Sequence, residues 1–233
     1  MKIKRFSPKQ KRVMSWWGPK SPDRRYDAII CDGAVRSGKT LCMGLSFVCW
    51  AMASFREQQF AFCGKSVVSL RRNLLQELTP TLKELGFRCR EKRSENLLVI
   101  SKGGRENRFY LMGGKDEGSA AFIQGVTLAG VLLDEAALMP RSFVEQAIAR
   151  CSVQGSRLWF NCNPEGLNKP CNNHPDRYLR KKSRILLSGC TTIRSRHIRQ
   201  NACLSARPSW AYSSSHPLVN ICRSGATLGG WAG

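Results

Sequence analysis

The string Gly33-Ala34-Val35-Arg36-Ser37-Gly38-Lys39-Thr40 satisfies G-x-x-x-x-G-K-[ST] at every fixed position. It follows a compact apolar run, Tyr26 to Asp32, and opens a longer one, Leu41 to Ala53. Five to seven apolar residues before a glycine-rich turn predict a buried parallel strand, and the run behind it predicts a buried helix. Glycine lets the backbone turn tightly and brings its N–H groups onto an anion with no Cβ in the way. A helix starting near Gly38 adds the positive end of its dipole. Lys39 then supplies a point charge to the β- and γ-phosphates of a nucleotide, and the Thr40 hydroxyl ligates magnesium. A loop of this kind, between strand and helix, restricts the chain to an α/β architecture.

The rest of the chain to residue 166 alternates in the same way. Ser7-Pro8 signals a helix start, and a short basic helix runs to Trp16-Trp17, where Gly18-Pro19 stops it. Gln59–Gly64, Gly130–Asp134 and Arg157–Cys162 read as strands, as does the pair Asn96–Ser101 and Arg108–Gly113. Helices are expected at Leu41–Ser54, within Ser66–Leu85 with Pro80 breaking the pattern, and at Ser142–Cys151. Strands alternating with helices predict a mostly parallel sheet with helices on both faces.

Gly130-Val131-Leu132-Leu133-Asp134-Glu135 is an apolar strand ending in two acids, at the edge where ligands of open α/β sheets bind. Asp134 is positioned to hold magnesium, and Glu135 to orient or deprotonate an attacking water. Leu158-Trp159-Phe160-Asn161-Cys162-Asn163-Pro164-Glu165-Gly166 follows. Asn161 or Asn163 senses a γ-phosphate from a neighbouring strand, or else the segment is a plain strand-ending turn.

Charge adds a second constraint. Lys and Arg number 38 against 16 Asp and Glu, a formal net charge of +22. Such an excess attracts polyanions, nucleic acid first, with a merely solvated basic surface as the alternative. The 11 cysteines include no CxxC pair, and the basic N-terminus has no apolar run behind it. Reduced thiols, no signal peptide and a cytoplasmic chain are therefore expected, and no stretch is long enough to span a bilayer.

The FSPKQ opening, GAVRSGKT, LLDEA and NPEG, in this order and spacing, resemble the ATPase domain of phage terminase large subunits, in particular the PBSX-like type. The resemblance covers about residues 5–166. It implies a P-loop NTPase fold of the ASCE type and a motor, taking ATP and Mg2+, that threads double-stranded DNA into a procapsid. It also implies a homo-oligomeric ring, with portal protein and small terminase subunit as partners. By the same resemblance Gln10 contacts adenine, Gly33 to Thr40 cradle the phosphates, and Thr40 and Asp134 hold the metal. Glu135 is then the catalytic acid, Asn161 to Asn163 couple hydrolysis to movement, and Arg36 stabilises charge on the transferring phosphate. A helicase-like ATPase shares the first two motifs, but the FSPKQ opening and NPEG ending speak against it.

Residues 167–233 depart from the family. They hold eleven Lys and Arg and one acid, Asp176, so no two-metal nuclease can be assembled there. The expectation is an irregular basic tail after a 1–166 ATPase domain. It arises from truncation or a frameshift just after Gly166, or else is an original basic appendage. An inactive prophage remnant that binds nucleotide or DNA without turnover is the corresponding alternative function. The tail's Cys171, His174, Cys190, His197, Cys203, His216 and Cys222 match no zinc-ligand spacing.

Overall fold

The computed structural model describes residues 6–33 and 37–163 and the strand Ile185–Gly189. Ala34, Val35, Arg36, the Pro164–Gly166 ending and the tail apart from that strand, with its cysteines and histidines, lie outside the described residues.

The chain opens with α1 (Pro8–Ser15), fixed at its start by a capping box in which Gln10 N–H donates to the Ser7 hydroxyl and the Gln10 side chain accepts from Ser7 N–H. Next come β1 (Ala28–Asp32), α2 (Lys39–Ser54) and β2 (Gln59–Gly64). A continuous helical stretch then runs through α3 (Val67–Leu70), a π turn (Arg71–Leu75) and α4 (Gln76–Glu84). Pro80 lies inside α4 and does not break it. Its ring is exposed, and so is Gln76, whose carbonyl the proline deprives of its i+4 donor, so water can serve that group. The buried face, Leu78, Thr81 and Leu82, holds the helix on the core.

Three antiparallel strands follow: β3 (Arg88–Lys92), β4 (Leu97–Lys102) and β5 (Arg105–Gly113). The chain then forms β6 (Gly130–Asp134), α5 (Arg141–Ala149), β7 (Arg157–Cys162) and β8 (Ile185–Gly189). All pair into one sheet of eight strands in the order β3-β4-β5-β2-β6-β7-β1-β8, parallel from β5 to β8. The expectation of an irregular tail is therefore corrected at Ile185–Gly189, which pair in parallel with Ala28–Asp32. β3 was also not expected.

Helices lie on both faces. On one, α2 packs with α1 and α4 over an aromatic cluster of Trp16, Phe47, Trp50, Phe60, Phe62, Phe109 and Trp159. Trp159 donates its indole N–H to Ser46 Oγ at 3.2 Å, so the one polar atom of that buried ring is satisfied. On the other face, α5 and the 3-10 turn Glu117–Ile123 cover Ile30, Val131, Leu133 and Phe160. The described cysteines are thiols, and burial pushes the Cys63 thiol and the half-buried Cys151 thiol up, the latter to about 12, which disfavours their thiolates.

Candidate nucleotide site

Strand order decides which side chains meet. β7 lies between β1, which leads toward Gly33, and β6, which ends in Asp134 with Glu135 next in the chain. Its register sets Asn161 against Cys31 on one side and Asp134 on the other. Alternation turns Asn161 and Asp134 to the face of α2, as it does Trp159 and Leu132 in the same core cluster. α2 begins immediately after Gly38, which adopts a left-handed conformation (φ 75°) that glycine takes without strain.

Three polar groups therefore converge at the sheet edge. Asn161 Nδ2 donates to Asp134 Oδ1 at 2.6 Å and to Thr40 Oγ1 at 2.9 Å. The Thr40 hydroxyl lies 3.4 Å from Asp134 Oδ1. Asp134 is 5% exposed, and burial raises its pKa above the ordinary carboxylate value. The Asn161 and Thr40 hydrogen bonds and the Lys39 charge pull it down, while the neighbouring charge of Glu135 pushes it further up.

Lys39, also 5% exposed, directs its ammonium to the Gly33 carbonyl, to Ser37 Oγ at 3.4 Å and to Asn163 Oδ1 at 3.1 Å. Each is a neutral acceptor standing where an anion would be preferred by a buried cation. Gln10 reaches the same loop from α1: its Nε2 donates to the Ser37 carbonyl at 3.1 Å while its Oε1 accepts from Ser7 N–H at 2.9 Å. Glu135 sits in the left-handed region (φ 57°, ψ 46°), a conformation that costs about 1 kcal/mol or more for a residue with a Cβ.

The arrangement fits magnesium. Its donors are all oxygen, a hydroxyl and a carboxylate, the hard ligands that Mg2+ takes in company with phosphates and water. Asn161 Oδ1 is buried with no hydrogen-bond partner, an acceptor suited to a water carried by such an ion. Among the described residues no group of three or more His, Cys, Asp or Glu forms a self-sufficient metal cage.

A sequence profile described as "Terminase large subunit, T4likevirus-type, N-terminal" matches residues 30–169. The chain belongs to the terminase large subunit family. The large terminase of a thermophilic bacteriophage is 49% identical with a TM-score of 0.73, over 79% of this chain and 45% of that one. The same phage terminase in complex with ADP gives 46% identity and a TM-score of 0.70 over 79% and 45% of the two chains. Its complex with ATP-gamma-S gives 45% and 0.68 over 79% and 44%. The chain thus spans less than half the length of these terminases. No curated protein matches it.

In this terminase chain the structure brings together Gly33, Ser37, Gly38, Lys39, Thr40, Asp134, Asn161 and Asn163, and adds Gln10 through its bond to the loop. Glu135 follows directly on β6 at the same edge. Ser7 was missed as a contributor: it fixes the Gln10 amide, and the S-P-K-Q spacing of a capping box carried that signal. Among the described residues no helix is long and apolar enough to cross a membrane.

Proposed function

We propose that this chain is the ATP-hydrolysing part of a motor that packages double-stranded phage DNA into procapsids. It would work in the host bacterial cytoplasm and transiently at the procapsid portal. Portal protein, the small terminase subunit and further copies of the chain in a ring are its partners in this reading. The observation that carries it is the triangle of Thr40, Asn161 and Asp134 beside the Lys39 ammonium. Kinship to a terminase solved with ADP and with ATP-gamma-S supports the nucleotide.

The chemistry is in-line attack of water on the γ-phosphorus of ATP, with cleavage of the bond to the β–γ bridging oxygen and departure of ADP. Glu135 accepts the proton of the attacking water. Lys39 exchanges its neutral acceptors for phosphate oxygens, and losing the lysine frees Asn163, the first residue after β7. Asn161 holds Asp134 and Thr40 in register and offers its free Oδ1 to a water. Arg36, with Ala34 and Val35 in the loop, lends charge to the transferring group, and Gln10 braces the loop beneath the base. Thr40 and Asp134 would hold Mg2+, which supplies neutralisation of the phosphate charge.

Phosphate release from the purified chain, with and without magnesium, tests the reading. Wild type is expected to release phosphate only with the metal, and Lys39→Ala to abolish it. Glu135→Gln should lower it by about 10²- to 10⁴-fold while still binding ATP. Wild-type protein without magnesium-dependent release, or an active Lys39→Ala variant, would overturn it.

A further inference from the structure

The antiparallel strands β3, β4 and β5 have one face on the core and one on which no α-helix is packed, the 3-10 turn Glu117–Ile123 reaching it only at β5, where Tyr110 lies against the second cluster. Cys89, Leu98, Ile100, Phe109 and Leu111 belong to the face packed with α2 and α4. Strand alternation puts Arg88, Arg90 and Lys92 on the opposite face of β3. Register then builds three rows across the sheet: Arg88–Ser101–Glu106, Arg90–Val99–Arg108 and Lys92–Leu97–Tyr110. Cations thus stand along the outer strand and again on β5, on either side of an apolar middle strand whose Leu97 and Val99 are each 5% exposed. Long basic side chains with apolar stems suit that position.

This face is under-neutralised. Its rows contain one carboxylate, Glu106. Of the neighbouring acids, Glu91 is taken by Arg71 at 2.7 Å, and Glu95 neutralises Lys92 at 3.0 Å, which leaves the three arginines without a carboxylate. Among the described residues Arg88, Arg90 and Arg108 form no ion pair. Nor does the chain beyond Gly166 offer an acidic segment to lie over them, since it holds eleven Lys and Arg against one Asp. Arginines kept exposed and unpaired, Arg88 and Arg90 at alternate residues roughly 6.6 Å apart on β3 and Arg108 across the sheet on β5, favour a polyanion with regularly spaced charges.

We propose that this outer face of β3–β4–β5 binds the phosphate backbone of duplex DNA, through Arg88, Arg90 and Arg108. The choice of duplex DNA as the polyanion rests on the packaging reading, whereas the face itself rests on charge and topology. Contacts of this kind hold and orient the duplex without reading its sequence.

A salt series of fluorescence anisotropy with a labelled duplex, using the full chain, tests the proposal. Three phosphate contacts contribute about 2.7 to the slope of log K against log salt. Arg88→Ala/Arg90→Ala/Arg108→Ala should lower the slope by about that amount and weaken binding at least about tenfold at moderate salt. The matching triple Arg→Lys variant should keep the slope. Arg24→Ala/Arg72→Ala/Lys83→Ala removes equal charge from exposed sites outside these rows and should bind as wild type does. If the triple alanine variant does not fold by circular dichroism, Arg90→Ala alone should lower the slope by about 0.9. An unchanged slope, an equal loss in the control variant, or no duplex binding by wild type would each overturn the proposal. Phosphate release, unaffected by these substitutions, reports separately on the ATPase reading.

Discussion

Asn161 Nδ2 lies 2.6 Å from Asp134 Oδ1 and 2.9 Å from Thr40 Oγ1, so one amide on β7 ties the acid of β6 to the first turn of α2. Removing it leaves a buried carboxylate and hydroxyl without their shared donor. Asn161→Ala should lower phosphate release by about ten- to a hundredfold, the usual cost of losing a partner that orients metal ligands. Asn161→Asp should be worse, because it sets a second carboxylate against Asp134. Steady-state kinetics across a magnesium titration checks both. An apparent magnesium affinity unchanged in Asn161→Ala would show that the amide does not organise the site.

The pH dependence of stability has a defined sign at Asp134. Burial, the leading cause, raises its pKa in the folded chain above 3.8, so the fold holds that proton more tightly than the unfolded chain does. The resulting contribution is most favourable below 3.8 and falls away as pH rises through the folded value. Asp134→Asn removes the titration and should melt above wild type at neutral pH without nucleotide, the gap closing as pH approaches 3.8. The melting shift that magnesium and ADP give wild type should vanish in the same variant. Thermal melts over a pH series decide it, and a variant that melts lower at neutral pH would sink the argument.

The sequence made legible those elements whose apolar pattern points inward. β2, β6 and β7 have the boundaries expected from their apolar runs, because buried parallel strands are continuous in hydrophobicity. β3 escaped notice because Arg88, Arg90 and Lys92 occupy its outer face and only Cys89 packs inward, which leaves no alternation to read. β8 lies in a stretch without period, and its Ile-Leu-Leu run is shorter than any reliable signal. The Gly33–Thr40 string and the Asp134-Glu135 pair stand out by spacing alone. That Asn161 bridges them does not, since it depends on β7 entering the sheet between β1 and β6. Nor could sequence show Gln10 bonded to the loop, a contact across 27 residues.

Gly130 opens β6 directly against Trp50. A Cβ there would stand 2.7 Å from the Trp50 ring and 3.0 Å from the Arg157 carbonyl. Neither neighbour yields easily: the ring stacks within the aromatic cluster, and the carbonyl belongs to the adjacent strand. Gly130→Ala should cost about 1–3 kcal/mol by overpacking. Urea denaturation should show a lower midpoint with an unchanged m-value. Trp50→Phe in the same chain should recover part of the loss; a double variant with strictly additive costs would refute the clash.

Gln10 spends both ends of its amide, one on Ser7 N–H and the other on the Ser37 carbonyl. Its two duties can be separated. Gln10→Glu keeps an acceptor for Ser7 and so keeps the α1 cap, but turns an oxygen toward Ser37 where a donor stood. Gln10→Ala loses both. Each lost hydrogen bond is worth about 0.5–1.5 kcal/mol, so ATP affinity should fall roughly two- to twelvefold in both variants. Both should lose thermal stability, Gln10→Ala by more because it also gives up the α1 cap. Comparing ATP with GTP adds the remaining arm: if Gln10 also reads the base, both variants narrow the preference for ATP. Undiminished ATP affinity in Gln10→Glu would mean that the bond to Ser37 does not brace the loop.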